Sequence, residues 1–111
     1  MAHPQFRLFR GRGNKFYFNL TSKNGQKILQ SQGYATRPAA RNGVKAVKSS
    51  AKRKGLYEGK RSSNGKYYFV LTSPNGQTIG KSEMYSSSSG RSNGMKSVMK
   101  NAGPAKIVDD T

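Results

Sequence analysis

The chain lacks cysteine and tryptophan altogether and has one histidine and only four acidic residues among 111. Without cysteine, neither a disulfide scaffold nor a thiolate metal site can form, and the composition is compatible with a reducing compartment. No apolar run is long enough to cross a membrane, and the opening MAHPQFRLFR lacks the apolar stretch of a signal peptide. The expectation is a cytoplasmic protein with no membrane partner. Hydrophobic residues make up 32%, low for a compact domain, although six Tyr and five Phe supply bulky core candidates. That is material for one modest core and one domain.

Groups that could do chemistry are equally scarce. His3 stands beside Pro4 at the chain end, Glu58 and Glu83 are single carboxylates among basic neighbours, and Asp109-Asp110 reads as a solvated C-terminal pair. There is no phosphate-binding lysine loop, no nucleophile elbow and no metal-ligand spacing. The sequence therefore predicts a non-enzymatic protein with no catalytic residue, metal, cofactor or small-molecule substrate.

What is abundant is positive charge. Twenty-one Lys and Arg give a formal net charge of +17. So one-sided a balance strains the compact state by self-repulsion and points to a polyanionic partner, with a solubility or habitat effect as the alternative source of the charge.

The chain also repeats itself. KFYFNLTSKNGQKI from Lys15 returns as KYYFVLTSPNGQTI from Lys66, and a shift of 51 positions aligns the two copies over residues 15–51 and 66–102. About half of those positions are identical, among them Phe18/Phe69, Asn24/Asn75, Tyr34/Tyr85 and Gly43/Gly94. Two copies are too few for a solenoid, so two half-units about a pseudo-twofold axis are expected, repeat one over 5–55 and repeat two over 56–111. Segments 16–20 and 67–71 should then be equivalent in one sheet.

Each unit reads as β-β-β-α-β. Phe6 to Arg10 and Phe16 to Thr21 alternate like strands, the second placing Phe16, Phe18 and Leu20 on one face. Asn-Gly at 24–25 and 75–76 marks hairpin turns into strands over 27–31 and 78–82. Thr36 and Ser87 are N-cap candidates, and Ala40, Val44, Val47 and Ala51 make an apolar helical stripe. Gly43 and Gly94, costly inside a helix, call for close approach by another helix or the sheet. Gly55 and Gly103 are expected to end the helices. Leu56 to Arg61 closes the first unit while opening the second, and Ile107-Val108 closes the second.

The paired Asn-Gly-Gln hairpins, Tyr34 and Tyr85, and NGVKAVKSSA with NGMKSVMKNA together resemble the YegP-like tandem-repeat family over essentially the whole chain. The resemblance implies an α+β fold with one antiparallel sheet, both helices on one face, and final strands exchanged between the repeats. It implies no activity.

Two surfaces suit a polyanion. On a helix, Arg37, Arg41, Lys45 and Lys48 fall within an arc of about 80°, clear of the apolar stripe and without an acid of their own, and Lys52, Arg53 and Lys54 continue the charge. Arg91, Lys96 and Lys100 spread wider on the second helix, a weaker arrangement. The sheet face away from the helices would carry Tyr17 and Tyr68 with Asn19, Thr21, Val70, Thr72 and Leu29, a platform on which unpaired bases can stack. The expected function is RNA or DNA binding through phosphates with little sequence discrimination. The alternative is an interaction module that forms a homodimer through its open sheet face or edge.

Overall fold

Strict alternation of apolar and polar residues makes Phe16–Thr21 a strand with one dry and one wet face. In the computed structural model, which describes residues 3–111, this is strand β2, and Phe16, Phe18 and Leu20 are buried beneath the helices. Its companions are β1 (Gln5–Arg10), β3 (Lys27–Gln30), β4 (Tyr57–Arg61), β5 (Tyr67–Thr72), β6 (Thr78–Lys81) and β7 (Lys106–Asp109), with helices α1 (Arg37–Ser50) and α2 (Ser88–Asn101). All seven strands form one sheet in the order β4-β5-β6-β3-β2-β1-β7. At its centre β3 meets β6 through Gln30 and Lys81, residues that are each other's repeat mates. A strand pair that joins a residue to its own copy lies on the pseudo-twofold axis, so β2 and β5 are equivalent, as the repeat requires.

The final strands are exchanged. Strand β4, which closes the first unit while opening the second, pairs with β5, and β7, which closes the second, crosses to pair with β1. Five junctions are antiparallel, but β7 runs parallel to β1, so the sheet is mixed. Because β7 arrives from α2 rather than through a hairpin, nothing obliges it to run against its neighbour.

Local chemistry explains the connections. Gly25 and Gly76 adopt φ of +86° and +85° in the β2–β3 and β5–β6 turns, where a side chain would be strained. The Thr36 hydroxyl accepts a hydrogen bond from the Ala39 amide (3.1 Å), and that of Ser87 accepts from the Gly90 amide (3.0 Å), capping both helices. Both helices then bury Ala40, Val44 and Val47, or Val98 and Ala102, on the same face of the sheet.

The mid-helix glycines have a specific cause. A Cβ on Gly43 would lie 2.4 Å from the Tyr34 hydroxyl oxygen, and one on Gly94 would lie 2.3 Å from that of Tyr85. What approaches is thus a tyrosine from the segment before each helix rather than another helix. Each tyrosine is pinned by paired backbone hydrogen bonds, Tyr34 with Phe16 and Tyr85 with Tyr67. Burial raises both phenol pKa values, with Glu83 adding to the effect at Tyr85.

Two expectations fail. Gly55 and Gly103 do not end the helices: Ala51 and Ala102 do so in right-handed conformation, each amide still bonded to the carbonyl four residues back. Leu29 is not on the open face. A bulge at Leu20/Thr21 shifts the register, so Leu29 is fully buried opposite Leu20 on the helix side.

Candidate nucleic-acid interface

The open face of the sheet carries Tyr17 and Tyr68, and both rings already have neighbours. Tyr17 stacks on Phe9 with ring centroids 5.7 Å apart, and the Lys81 ammonium stands 5.0 Å from the Tyr68 centroid. Phe9 was not anticipated on this face because it breaks the apolar–basic alternation of β1. Asn19, Thr21 and Thr72 are half-buried there, and Val70 is buried.

On the helix side, Arg37 and Arg41 project from the first two turns of α1, where they meet an acid the local sequence does not contain. Arg41 donates to the Asp109 carboxylate at 2.7 Å, and Arg37 lies 3.9 Å from the same oxygen. Asp110 in turn accepts from Arg7 at 2.6 Å. The C-terminal acids are therefore ion-paired, not free in solvent, because parallel pairing with β1 carries β7 beneath the start of α1. Hydrogen bonds from the Thr111 hydroxyl and amide, then Arg41, hold the Asp109 pKa down to about 2. A depressed carboxyl favours the folded state fully above its unfolded pKa and loses that contribution as pH falls from there through about 2.

Glu58 pairs with Lys60 (3.4 Å) and Glu83 with Lys27 (3.1 Å), as their basic surroundings suggested. All four carboxylates are thus engaged by five cations, which leaves 16 of the 21 Lys and Arg without a carboxylate partner. Among these are Lys45, Lys48, Lys52, Arg53 and Lys54, although α1 ends at Ser50 and the last three lie in the connection to β4. Lys48 reaches the Gly103 carbonyl (3.4 Å), and Lys52 lies beside the same glycine. Lys54 shares a cleft of about 290 Å3 with Lys96 of α2. Lys96 and Lys100 then share a larger cleft, about 670 Å3, with Lys23 of the β2–β3 turn, and the rest of its lining is Ser, Asn and Gln.

Lysines therefore gather at three places on the helix layer: Lys48 and Lys52 at Gly103, Lys54 and Lys96 in one cleft, and Lys96, Lys100 and Lys23 in the other, with no acid lining either cleft. Sequence spacing made α2 the weaker surface. Two of its lysines instead converge with Lys23, because α2 crosses onto the hairpin of the other repeat. Arg91 turns the opposite way, onto the Tyr67 ring at 5.2 Å and the Lys60 carbonyl at 3.1 Å.

Among the described residues no group of three or more His, Cys, Asp or Glu could hold a metal ion, and no helix is long and apolar enough to cross a membrane.

The family described as Domain of unknown function (DUF1508) matches residues 12–58 and again 62–109. The UPF0339 protein YegP of Yersinia pestis is 38% identical over 110 residues, covering 99% of this chain and 97% of the relative. The YegP of Escherichia coli K12 is 38% identical over 106 residues, covering 96% of each. Two solution NMR structures superpose on the fold. That of E. coli yegP, a protein of unknown function, gives a TM-score of 0.93 at 36% identity and covers 100% of this chain and 96% of the other. That of UPF0339 protein SO3888 from Shewanella oneidensis gives 0.89 at 37% identity and covers 98% and 92%. The doubled domain, full-length identity and shared fold make this chain a member of the uncharacterised UPF0339/YegP family.

Proposed function

We propose that the protein is a non-enzymatic binder of RNA or DNA that grips phosphates along its helix layer with little regard to base sequence. One observation supports this reading: every Asp and Glu is ion-paired elsewhere, while Lys48, Lys52, Lys54, Lys96, Lys100 and Lys23 gather at Gly103 and in two clefts that no acid lines. Lysines so arranged repel one another in the free protein, and a phosphodiester chain relieves that repulsion while releasing its own counterions. Lys45 and Arg53 extend the same field. Arg37 and Arg41 contribute only by exchanging Asp109 for phosphate, and the engaged rings of Tyr17 and Tyr68 make base stacking a secondary contribution.

The test is the salt dependence of binding. Six contacts imply a log–log slope of about −5 on duplex DNA and about −4 on single strands. Reversing Lys96 and Lys100 to Glu should flatten the slope by about two units or abolish binding. Reversing Lys27 and Lys60, whose charges are already paired, should do much less. Equal losses in the two double variants would mean a diffuse field rather than a track. Failure of the parent protein to bind either polymer at about 50 mM salt would overturn the reading in favour of a protein-interaction module.

A further inference from the structure

The two ends of the sheet are unequal. Strand β7 lies along β1 in parallel, with Ile107 beside Phe6 and Asp109 beside Leu8. The repeat mate of β1 is β4, and among the described residues no strand lies along the outer edge of β4, where the sheet order ends. The chain cannot fill the place itself: the residues that correspond to β7 are 55–58, and they are already committed to entering and forming β4.

The vacant place retains the features that seat β7. The Ser62 amide donates to the Lys66 carbonyl (2.8 Å), so the ladder alternates through Lys60 and Glu58, and the peptide groups of Tyr57, Gly59 and Arg61 point outward. Their mates on β1 include Leu8, whose carbonyl accepts from the Asp110 amide at 2.8 Å. Where Ile107 lies beside Phe6, the corresponding spot beside Tyr57 is a cleft of about 290 Å3 whose apolar wall is Met95 and Met99 of α2, with Ser92, Lys54 and Lys96 around it. Unbranched thioether side chains suit an apolar guest of variable shape. Where Asp109 lies beside Leu8 under Arg41, the corresponding spot is beside Gly59 under Arg91, whose guanidinium carbon is 3.0 Å from where a Gly59 Cβ would be.

We propose that the free edge of β4 accepts an extended peptide from another protein as an eighth, parallel strand. The peptide places a branched apolar residue beside Tyr57, against Met95 and Met99, and an acidic residue two positions later beside Gly59, facing Arg91. Period-two spacing puts both side chains on the helix side, and backbone pairing supplies the remaining affinity. The +17 charge favours an acidic guest.

The probe is a synthetic peptide with the sequence of residues 105–111, AKIVDDT, which carries the apolar-x-acidic pattern. It is titrated into the full chain and followed by amide and methionine-methyl NMR. Saturable shifts at Tyr57, Gly59, Arg61, Met95 and Met99 are expected. Replacing the peptide's Ile by Ser, or its first Asp by Lys, should weaken binding at least about tenfold, and an Arg91→Glu protein should recover the Lys-bearing peptide. Four results would overturn the proposal: no shifts up to about millimolar peptide, shifts at β1 as the peptide displaces β7, indifference to both peptide changes, or self-association without peptide that protects the same β4 amides. Lys54 and Lys96 border the same cleft, but attraction of the acidic probe to them alone would neither depend on its Ile nor shift the β4 amides, so those two readouts separate strand addition from anion binding.

Discussion

The two halves share a backbone plan but pack it differently. In the first, Leu8 on β1 and Ala40 on α1 are both fully buried; their mates in the second are Gly59 and Arg91. A large strand residue facing a small helix residue has become the reverse, and the guanidinium occupies the space that a strand side chain would fill. The reason lies one strand further out. Strand β7 shields β1 from water, so an aliphatic pair can stay dry there, whereas β4 is an edge whose Glu58, Gly59 and Arg61 are exposed. Two cations over one ring, the guanidinium carbons of Arg61 and Arg91 standing 4.8 and 5.2 Å from the Tyr67 centroid, suit that half-wet position.

The comparison can be broken most forcibly at that site. Leu8→Ala should cost about 2–5 kcal/mol by opening a cavity. Gly59→Leu should cost less than about 1 kcal/mol, because Arg91 can swing into solvent while the new side chain gains burial. Equal costs in thermal or urea unfolding would show that both halves bear the same load.

At the axis the inequality is steric. Leu29 is fully buried, and a Cβ on its mate Gly80 would come within 2.6 Å of its side chain. Gly80→Leu should therefore destabilise by about 1–3 kcal/mol, and the exchange Leu29→Gly with Gly80→Leu should recover most of that loss. An exchange no better than the single variant would mean that the two sides of the axis are not interchangeable.

The helix glycines test what the halves have in common. Gly43→Ala and Gly94→Ala should each lower stability by about 1–2 kcal/mol despite the gain in helix propensity, as the Tyr34 or Tyr85 ring is pushed aside. Gly43 should be the more sensitive, since Phe18 also stands 3.0 Å from its added Cβ. Unchanged melting temperatures would show that the tyrosines yield freely.

How much of this could be read from the sequence depended on the range of the cause. The Asn-Gly turns, the Thr36 and Ser87 caps and the alternation of β2 act over two to four residues and were legible. The need for glycine at 43 and 94 was visible as a cost, but its cause, a tyrosine nine residues earlier, was not. The face of Leu29 depends on a one-residue bulge that no periodicity reports. The Arg41–Asp109 contact joins residues 68 apart and exists only because β7 crosses to the other repeat. The convergence of Lys23 with Lys96 and Lys100 is likewise created by helix crossing, so helical spacing alone undervalued α2.

The Leu29–Gly80 pair has a consequence for how copies of the chain meet one another. Nearly identical halves invite errors in which the first half of one molecule docks against the first half of a second. At that junction two leucines would claim the volume that one fills now, while two second halves would meet across a void between glycines. Only unlike halves fit, and a single chain always carries one of each within reach. One side chain, placed at the centre of symmetry and missing from its mate, thus bars like halves from pairing.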